Sequence, residues 1–177
     1  MEFDLETTFA LLTRTPATLN ALLRGLPDAW TRAKESEKTW SAAEVVAHLI
    51  HCEREDWLPR ARIILEFGES RPFDPFDPWG NVKEGALPVD SLLDEFTRLR
   101  AANLSELRAM HLTADDLARR GTHPSFGNVT LSNLLATWAV HDLNHIHQIS
   151  RVMASPYREA IGPWIQFMSM MRASTDR

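Results

Sequence analysis

Residues 131–154 read LSNLLATWAVHDLNHIHQISRVMA, and the spacing of apolar side chains in this stretch decides the architecture. At about 100° per residue, with Leu131 at zero, Leu134, Leu135, Trp138, Ile146, Ile149, Val152 and Met153 fall in one stripe from about 300° through zero to about 60°. This is the apolar face of a long amphipathic helix that starts near Thr130 or Leu131 and runs to about Ala154. Two histidines ride with that face. His145 comes at about 320°, inside the stripe, and His141 at about 280°, on its edge. Being four residues apart, their rings stand one turn above the other and can share one ion. His147, at about 160°, lies on the opposite face, a surface position.

A second helix earlier in the chain carries the same kind of signal. Ser41-Ala42-Ala43-Glu44 is a capping box, with Trp40 just before it to pack on the first turn. The helix is expected to continue to about Phe67, past Pro59, with Gly68 as its stop. With Trp40 at zero, Val45, Val46, Leu49, Ile50, Cys52, Trp57 and Ile64 occupy an arc from about 120° to about 280°. His48 borders that arc at about 80°, beside Cys52, while His51 falls at about 20° in polar company.

The rest of the chain fits around these two helices. A first helix is expected from about Leu5 to Leu23, kinked or broken near Thr15 by Pro16. Residues 71–80 contain Pro72, Pro75 and Pro78 and cannot be a regular helix, so residues 69–88 read as a long irregular connection. Such connections are usually functional or carry a crossover, and Arg71–Trp79 is a candidate pocket wall or a cover for one end of the bundle. A third helix runs from about Val89 to Met110, and a short one starts near Thr113. A loop over Gly121–Val129 and a final helix from about Arg158 to Met171 complete the reading. No sustained period-2 alternation is present, so strands are not expected. Four long helices, a short C-terminal helix and a long crossover between helices two and three describe an all-α four-helix bundle, one domain over residues 1–177.

Composition narrows the function. A chain of 177 residues with 44% hydrophobic and 24% charged residues has material for a core and is not a disordered segment. A net charge of −5 argues against nucleic acid as the main partner. No apolar run approaches the roughly 20 residues of a membrane span, and the acidic start Met1-Glu2-Phe3-Asp4 lacks the basic and apolar regions of a secretory signal. The single cysteine, Cys52, cannot close an internal disulfide. A soluble, globular, cytoplasmic protein, with neither membrane nor nucleic acid as partner, is the expectation.

Five of the seven histidines crowd into the two helices described above. On the wheels, one inward histidine from helix two and two from helix four converge: His48, His141 and His145. Three imidazoles in a bundle core make a metal site with positions left open for water or substrate. The alternative is that they are hydrogen-bonded core residues, and periodicity leaves both readings open. Asp142 and Gln148 flank the pair and are candidates to orient the ligand rings. Cys52, one turn after His48, is either a soft ligand or a small core hydrophobe. A structural zinc site closes with four protein ligands, so three histidines favour catalysis and a fourth ligand at Cys52 would favour structure.

At these residues the sequence resembles a known family. Trp40-Ser-Ala-Ala-Glu-Val-Val-Ala-His48-Leu49 is similar to the helix-two motif of the DinB-like superfamily. His141-Asp142-Leu143-Asn144-His145-Ile146-His147-Gln148 is similar to its helix-four motif, His-x-x-x-His-x-x-Gln. The loop before that helix and the order of segments agree over nearly the whole chain, and His147 falls where the motif is open. The resemblance implies an up-down-down-up four-helix bundle with a divalent metal, zinc or nickel, on His48, His141 and His145. It implies a metal-dependent enzyme that activates a low-molecular-weight thiol in S-transferase fashion, or water as a hydrolase. It also allows a non-catalytic, metal-binding or dimerising stress-associated bundle. Homodimer formation is a further implication. The residues themselves name neither the metal nor the substrate, and they assign no catalytic residue beyond the ligands.

Overall fold

A computed structural model describes residues 3–80 and 82–171. Four long helical segments form the bundle: α1 (Leu5–Leu23), the consecutive α3 (Ala42–Glu55) and α4 (Trp57–Phe67), α5 (Val89–Ala109), and α7 (Leu131–Ala154). Two short helices, α2 (Asp28–Thr31) and α6 (Ala114–Ala118), sit in the connections. The starts are set by local chemistry. The Asp4 carboxylate accepts from Thr7 N at 2.7 Å to cap α1, and Ser41 with Glu44 forms the reciprocal capping box of α3. Thr130 with Asn133 does the same for α7.

Prolines act differently in the two halves of the bundle. Pro16 was expected to kink or break the first helix, yet α1 runs unbroken through it. Pro16 has no N–H to give to Leu12 O, and that carbonyl instead accepts from Arg100 Nη1 at 2.9 Å. In the second helix the expected continuity past Pro59 fails. Pro59 cannot donate to the Glu55 carbonyl and its ring crowds that turn, so the helix breaks at Asp56 and restarts at Trp57, placing Pro59 in a first turn, where no N–H is needed.

Two further expectations are corrected. Residues 120–130 are not only a loop but a β-hairpin, β1 (Arg120–His123) antiparallel to β2 (Gly127–Thr130), with Arg120 opposite Thr130 and His123 opposite Gly127. Four-residue strands are too short for alternation to show in the sequence, and part of their support is tertiary: Phe73 N, in the crossover, donates to Thr122 O at 3.0 Å. The C-terminal helical segment is not one α-helix over 158–171. It consists of short 3₁₀ turns at Ser155–Tyr157, Gly162–Phe167 and Ser169–Met171. Pro163 interrupts any α-ladder there, and Gly162 adopts φ +52°, a conformation that turns the chain away from a helical path.

Inter-helix pairs give the directions. Arg24 pairs with Asp94 while the Leu12 carbonyl meets Arg100, so α1 and α5 are antiparallel. Glu53 meets Arg100 and Arg62 meets Glu106, so α3–α4 and α5 run parallel. Thr15 meets Asp142, and Glu35 beyond α1 meets Arg151, so α1 and α7 run parallel. Trp57 stacks on Trp138 while His48 lies beside His145, so α3–α4 and α7 are antiparallel. That is the up-down-down-up arrangement. Because helices two and three are parallel, the chain must return along the bundle between them, which is what residues 68–88 do.

The buried apolar residues divide into two clusters. One gathers around Leu12, Trp57, Leu58, Leu104, Leu135 and Trp138, the other around Leu19, Val46, Leu49, Ile50, Phe96 and Ile149. Between them lies a buried polar layer containing Thr15, Glu53, Arg100, Asp142, His48 and His145.

Candidate metal centre

The α3 capping box and the apolar stripe of α7 bring His48, His141 and His145 face to face. His48 Nε2 lies 3.3 Å from His141 Nε2, which lies 3.0 Å from His145 Nε2. His48 and His145 are buried, and His141 is half-buried. Two of the three rings are oriented from behind. His48 Nδ1 is 3.0 Å from the carbonyl of Pro78, and a carbonyl only accepts, so Nδ1 carries the proton. His145 Nδ1 is 2.7 Å from Gln148 Oε1 and donates to it. Both Nε2 lone pairs therefore point inward, at His141 Nε2. His141 Nδ1 is buried with no hydrogen-bond partner among the described residues.

Electrostatics agree with this geometry. Burial, with the neighbouring histidines adding to it, pulls His48 down to about 4 and His141 down to about 3. Burial also lowers His145, although the Gln148 hydrogen bond and the Asp142 charge oppose it. The rings are therefore neutral at pH 7 and can offer their nitrogen lone pairs, two of them turned toward the third ring, to a cation. The donor set thus fits a divalent ion.

Cys52 adjoins this group. Its Sγ lies 3.4 Å from His48 Nε2, and the ligand atoms of His48, Cys52 and His141 lie within 4.8 Å of one another, a cluster able to hold a metal. Burial, reinforced by the charges of Asp56 and Glu53, pushes the thiol far above its usual range, so without a cation beside it Cys52 is a neutral thiol.

Aromatic rings and the crossover close the site. Trp40 packs on His48 with centroids 4.7 Å apart, and Trp57 meets His141 edge-on at 5.1 Å. Trp79 meets Trp40 edge-on at 4.9 Å. Residues 76–80 form a strap over α3. Beside the Pro78 carbonyl on His48, His51 Nε2 lies 3.0 Å from Asp77 O, and the His51 ring stacks on Phe76 at 4.8 Å. The strap lies so close that a Cβ at Gly80 would stand 2.8 Å from His51 Nε2, so any larger residue there would have to push the His51 ring aside.

Most of the wheel placements agree with the structure. His147 is exposed, as expected. Gln148 orients a histidine ring, as expected of it. His51 keeps polar company, in a hollow it shares with Arg54, Glu55 and Asp77, and is half-buried beneath the strap. Asp142 does not orient a ligand ring. It turns into the bundle, where Arg100 Nη1 and Nη2 donate to its two oxygens at 2.5 and 2.9 Å and Thr15 Oγ1 donates at 2.6 Å.

That contact belongs to a network the sequence reading missed. Arg100 Nε and Nη2 also donate to Glu53 Oε1 at 3.0 and 2.8 Å. Trp138 Nε1 reaches the same oxygen at 3.1 Å, and Asn103 Nδ2 reaches Glu53 Oε2 at 2.9 Å. The clue was present: Arg100 stands in the apolar series Val89, Leu92, Leu93, Phe96, Leu104, Leu107 of α5, where an unpaired charge would be very costly.

Comparison with known proteins follows this geometry. The chain is similar in structure to YfiT from Bacillus subtilis, described as a probable metal-dependent hydrolase with an unusual four-helix bundle topology. The TM-score is 0.70 at 23% identity, over 83% of this chain and 84% of that one. It is also similar to the mycothiol-dependent maleylpyruvate isomerase, with a TM-score of 0.58 at 15% identity, over 89% of this chain and 69% of that one. No curated protein matches the sequence. The sequence profile of the DinB superfamily matches residues 11–149, a span that contains all three inward histidines and Cys52. The chain belongs to the DinB superfamily.

Proposed function

We propose that this protein is a metal-dependent enzyme in which His48, His141 and His145 hold one divalent ion, zinc or nickel, and in which the nucleophile is a small thiol or water. The observation that carries this reading is the convergence of the Nε2 atoms, with the Pro78 carbonyl and Gln148 Oε1 turning two lone pairs toward the third ring. A divalent ion on three neutral imidazoles keeps positions open and lowers the pKa of a bound thiol or water, supplying the nucleophile near neutral pH. The chain's own groups hold that arrangement. Pro78 O and Gln148 set the tautomers, Trp40 and Trp57 exclude water from the ring faces, and Asp142 places negative charge beneath His145. Two nucleophiles stay in view because the similar structures divide between them: one is described as hydrolase-like, the other as mycothiol-dependent. The proposed setting is the cytoplasm, as a homodimer.

Cys52 favours a second reading. If its thiolate closed the coordination as a fourth ligand, the bundle would be a non-catalytic metal-binding protein. Elemental analysis of untagged protein separates these readings. Near-stoichiometric metal is expected in the wild type and in Cys52→Ala, and loss is expected in His145→Ala. Metal lost equally in Cys52→Ala supports the closed site, and no metal in any variant after incubation with zinc and nickel sinks both. Metal-loaded protein is then assayed for thiol addition to an electrophile and for hydrolysis of simple esters and amides.

A further inference from the structure

Beside the histidine cluster, on the far side of His141 from Gln148, a cavity of about 210 Å³ opens between α4, the hairpin and α7. We propose that this cavity is a binding site for a compact, uncharged molecule made of one planar ring and one carbonyl oxygen, held next to the metal centre as the substrate to be attacked. The assignment of substrate rests on the metal-dependent reading; the binding site itself does not.

Size and wall chemistry come first. Trp57 and Leu134 at its inner side, Phe73 from the crossover and Phe126 and Val129 from the hairpin offer ring faces and aliphatic surface, which suits a flat apolar body. The volume has room for a single substituted ring rather than a peptide or a nucleotide.

Charge excludes an acid. The charged groups on the wall are Arg60 and Asp56, which pair at 2.7 Å with side chains only 13% and 9% exposed. The guanidinium is further held over the Phe73 and Phe76 rings, at 5.2 and 5.7 Å from their centroids. The pair is neutral as a unit. A ligand carboxylate would have to compete with Asp56 for Arg60 while being repelled by it. Burial already presses on Asp56, raising it to about 6 against the pull of Arg60. A neutral ligand meets no such opposition.

Hydrogen-bonding capacity selects an acceptor. The backbone N–H groups of Ser125 and Phe126 donate to His123 Nδ1 at 3.1 and 3.3 Å, so the His123 proton resides on Nε2. The ring is held by Phe126, stacked at 4.4 Å, and by Phe73, edge-on at 5.9 Å. The wall therefore offers an N–H donor at His123, and a carbonyl oxygen accepts from it without bringing charge.

The experiment uses untagged, full-length protein freed of metal with a chelator, so that the cavity is read apart from the ion. Acetophenone, ethylbenzene and benzoate are titrated by saturation-transfer NMR and calorimetry against wild type and Thr137→Phe. Thr137 is an exposed position of α7 on the cavity wall, so a phenyl group there fills the space with little threat to the fold. Acetophenone is expected to bind the wild type at least tenfold more tightly than ethylbenzene or benzoate. Thr137→Phe is expected to abolish acetophenone binding with wild-type metal uptake. No acetophenone binding, binding indifferent to Thr137→Phe, or preference for benzoate overturns the proposal. Failure of the metal reading shows separately, as absent metal with acetophenone binding intact.

Discussion

Around Arg100 every charge is answered. Its guanidinium serves Glu53, Asp142 and the Leu12 carbonyl, and Trp138, Asn103 and Thr15 take up remaining carboxylate capacity. The histidine cluster takes two of its rings from the helix that carries Asp142 and the third from α3, and it is also largely buried, yet it contains no ion pair, with two fixed lone pairs converging on a third ring. One region completes itself from the chain's own residues. The other presents a set of nitrogen atoms that a cation would fit. Satisfied burial gives a rigid platform, and unsatisfied burial directly above it gives affinity for something outside the chain.

The largest effect is expected where the platform is opened. Arg100→Met leaves Glu53 and Asp142 as uncompensated buried carboxylates and orphans the Leu12 carbonyl, so the loss should be about 3–5 kcal/mol. Denaturant unfolding measures it. The triple replacement Glu53→Leu, Arg100→Met, Asp142→Leu should recover most of that loss, because removing the whole network leaves no charge behind. A triple variant as unstable as Arg100→Met alone would mean that the network is not self-contained.

The histidines should respond oppositely. In metal-free protein their folded-state pKa values lie below the ordinary value near 6.5, at about 4 for His48 and about 3 for His141. The unfolded chain therefore binds protons that the folded chain refuses, and stability falls as the pH drops from about 6.5 toward 4. Each such ring contributes a slope of up to about 1.4 kcal/mol per pH unit. Thermal melts of metal-free wild type should lose temperature across that window, and His145→Leu should lose less of it. Equal slopes for the two proteins would contradict the account of His145.

The smallest effect on stability, with a clear effect on affinity, is expected at Gln148. Gln148→Leu removes the acceptor that turns His145 and should weaken metal binding about 10–100-fold. It is a half-buried position, so unfolding should shift by less than about 0.5 kcal/mol. Competition with a chromophoric chelator reads the first and denaturant unfolding the second.

The capping box at Ser41 with the apolar stripe that follows it, and the apolar stripe that begins at Leu131, were sufficient to place the helices that carry His48, His141 and His145. Other parts of the site had no local signature. Pro78 O serves His48 from a segment thirty residues away, through a backbone atom that every residue type possesses. The Asp56 break needed knowledge of which Pro59 conflict the fold would resolve by breaking and which, as at Pro16, by borrowing a donor. Asp142 looked like a neighbour of the ligand histidines because it adjoins His141 in sequence, but the next residue on a helix points about 100° away, and Arg100 lies there.

Helix periodicity and capping are short-range properties, written within a turn or two, and they established the all-α bundle, its long helices and the inward set of histidines from the amino acids alone. Partnership across the bundle is long-range. Which carbonyl fixes a tautomer, which carboxylate takes the buried arginine and which walls enclose the space beside His141 depend on segments meeting after up to about a hundred residues of intervening chain. That encounter was decided by the folded packing, because a pairing energy exists only once two surfaces have been brought together.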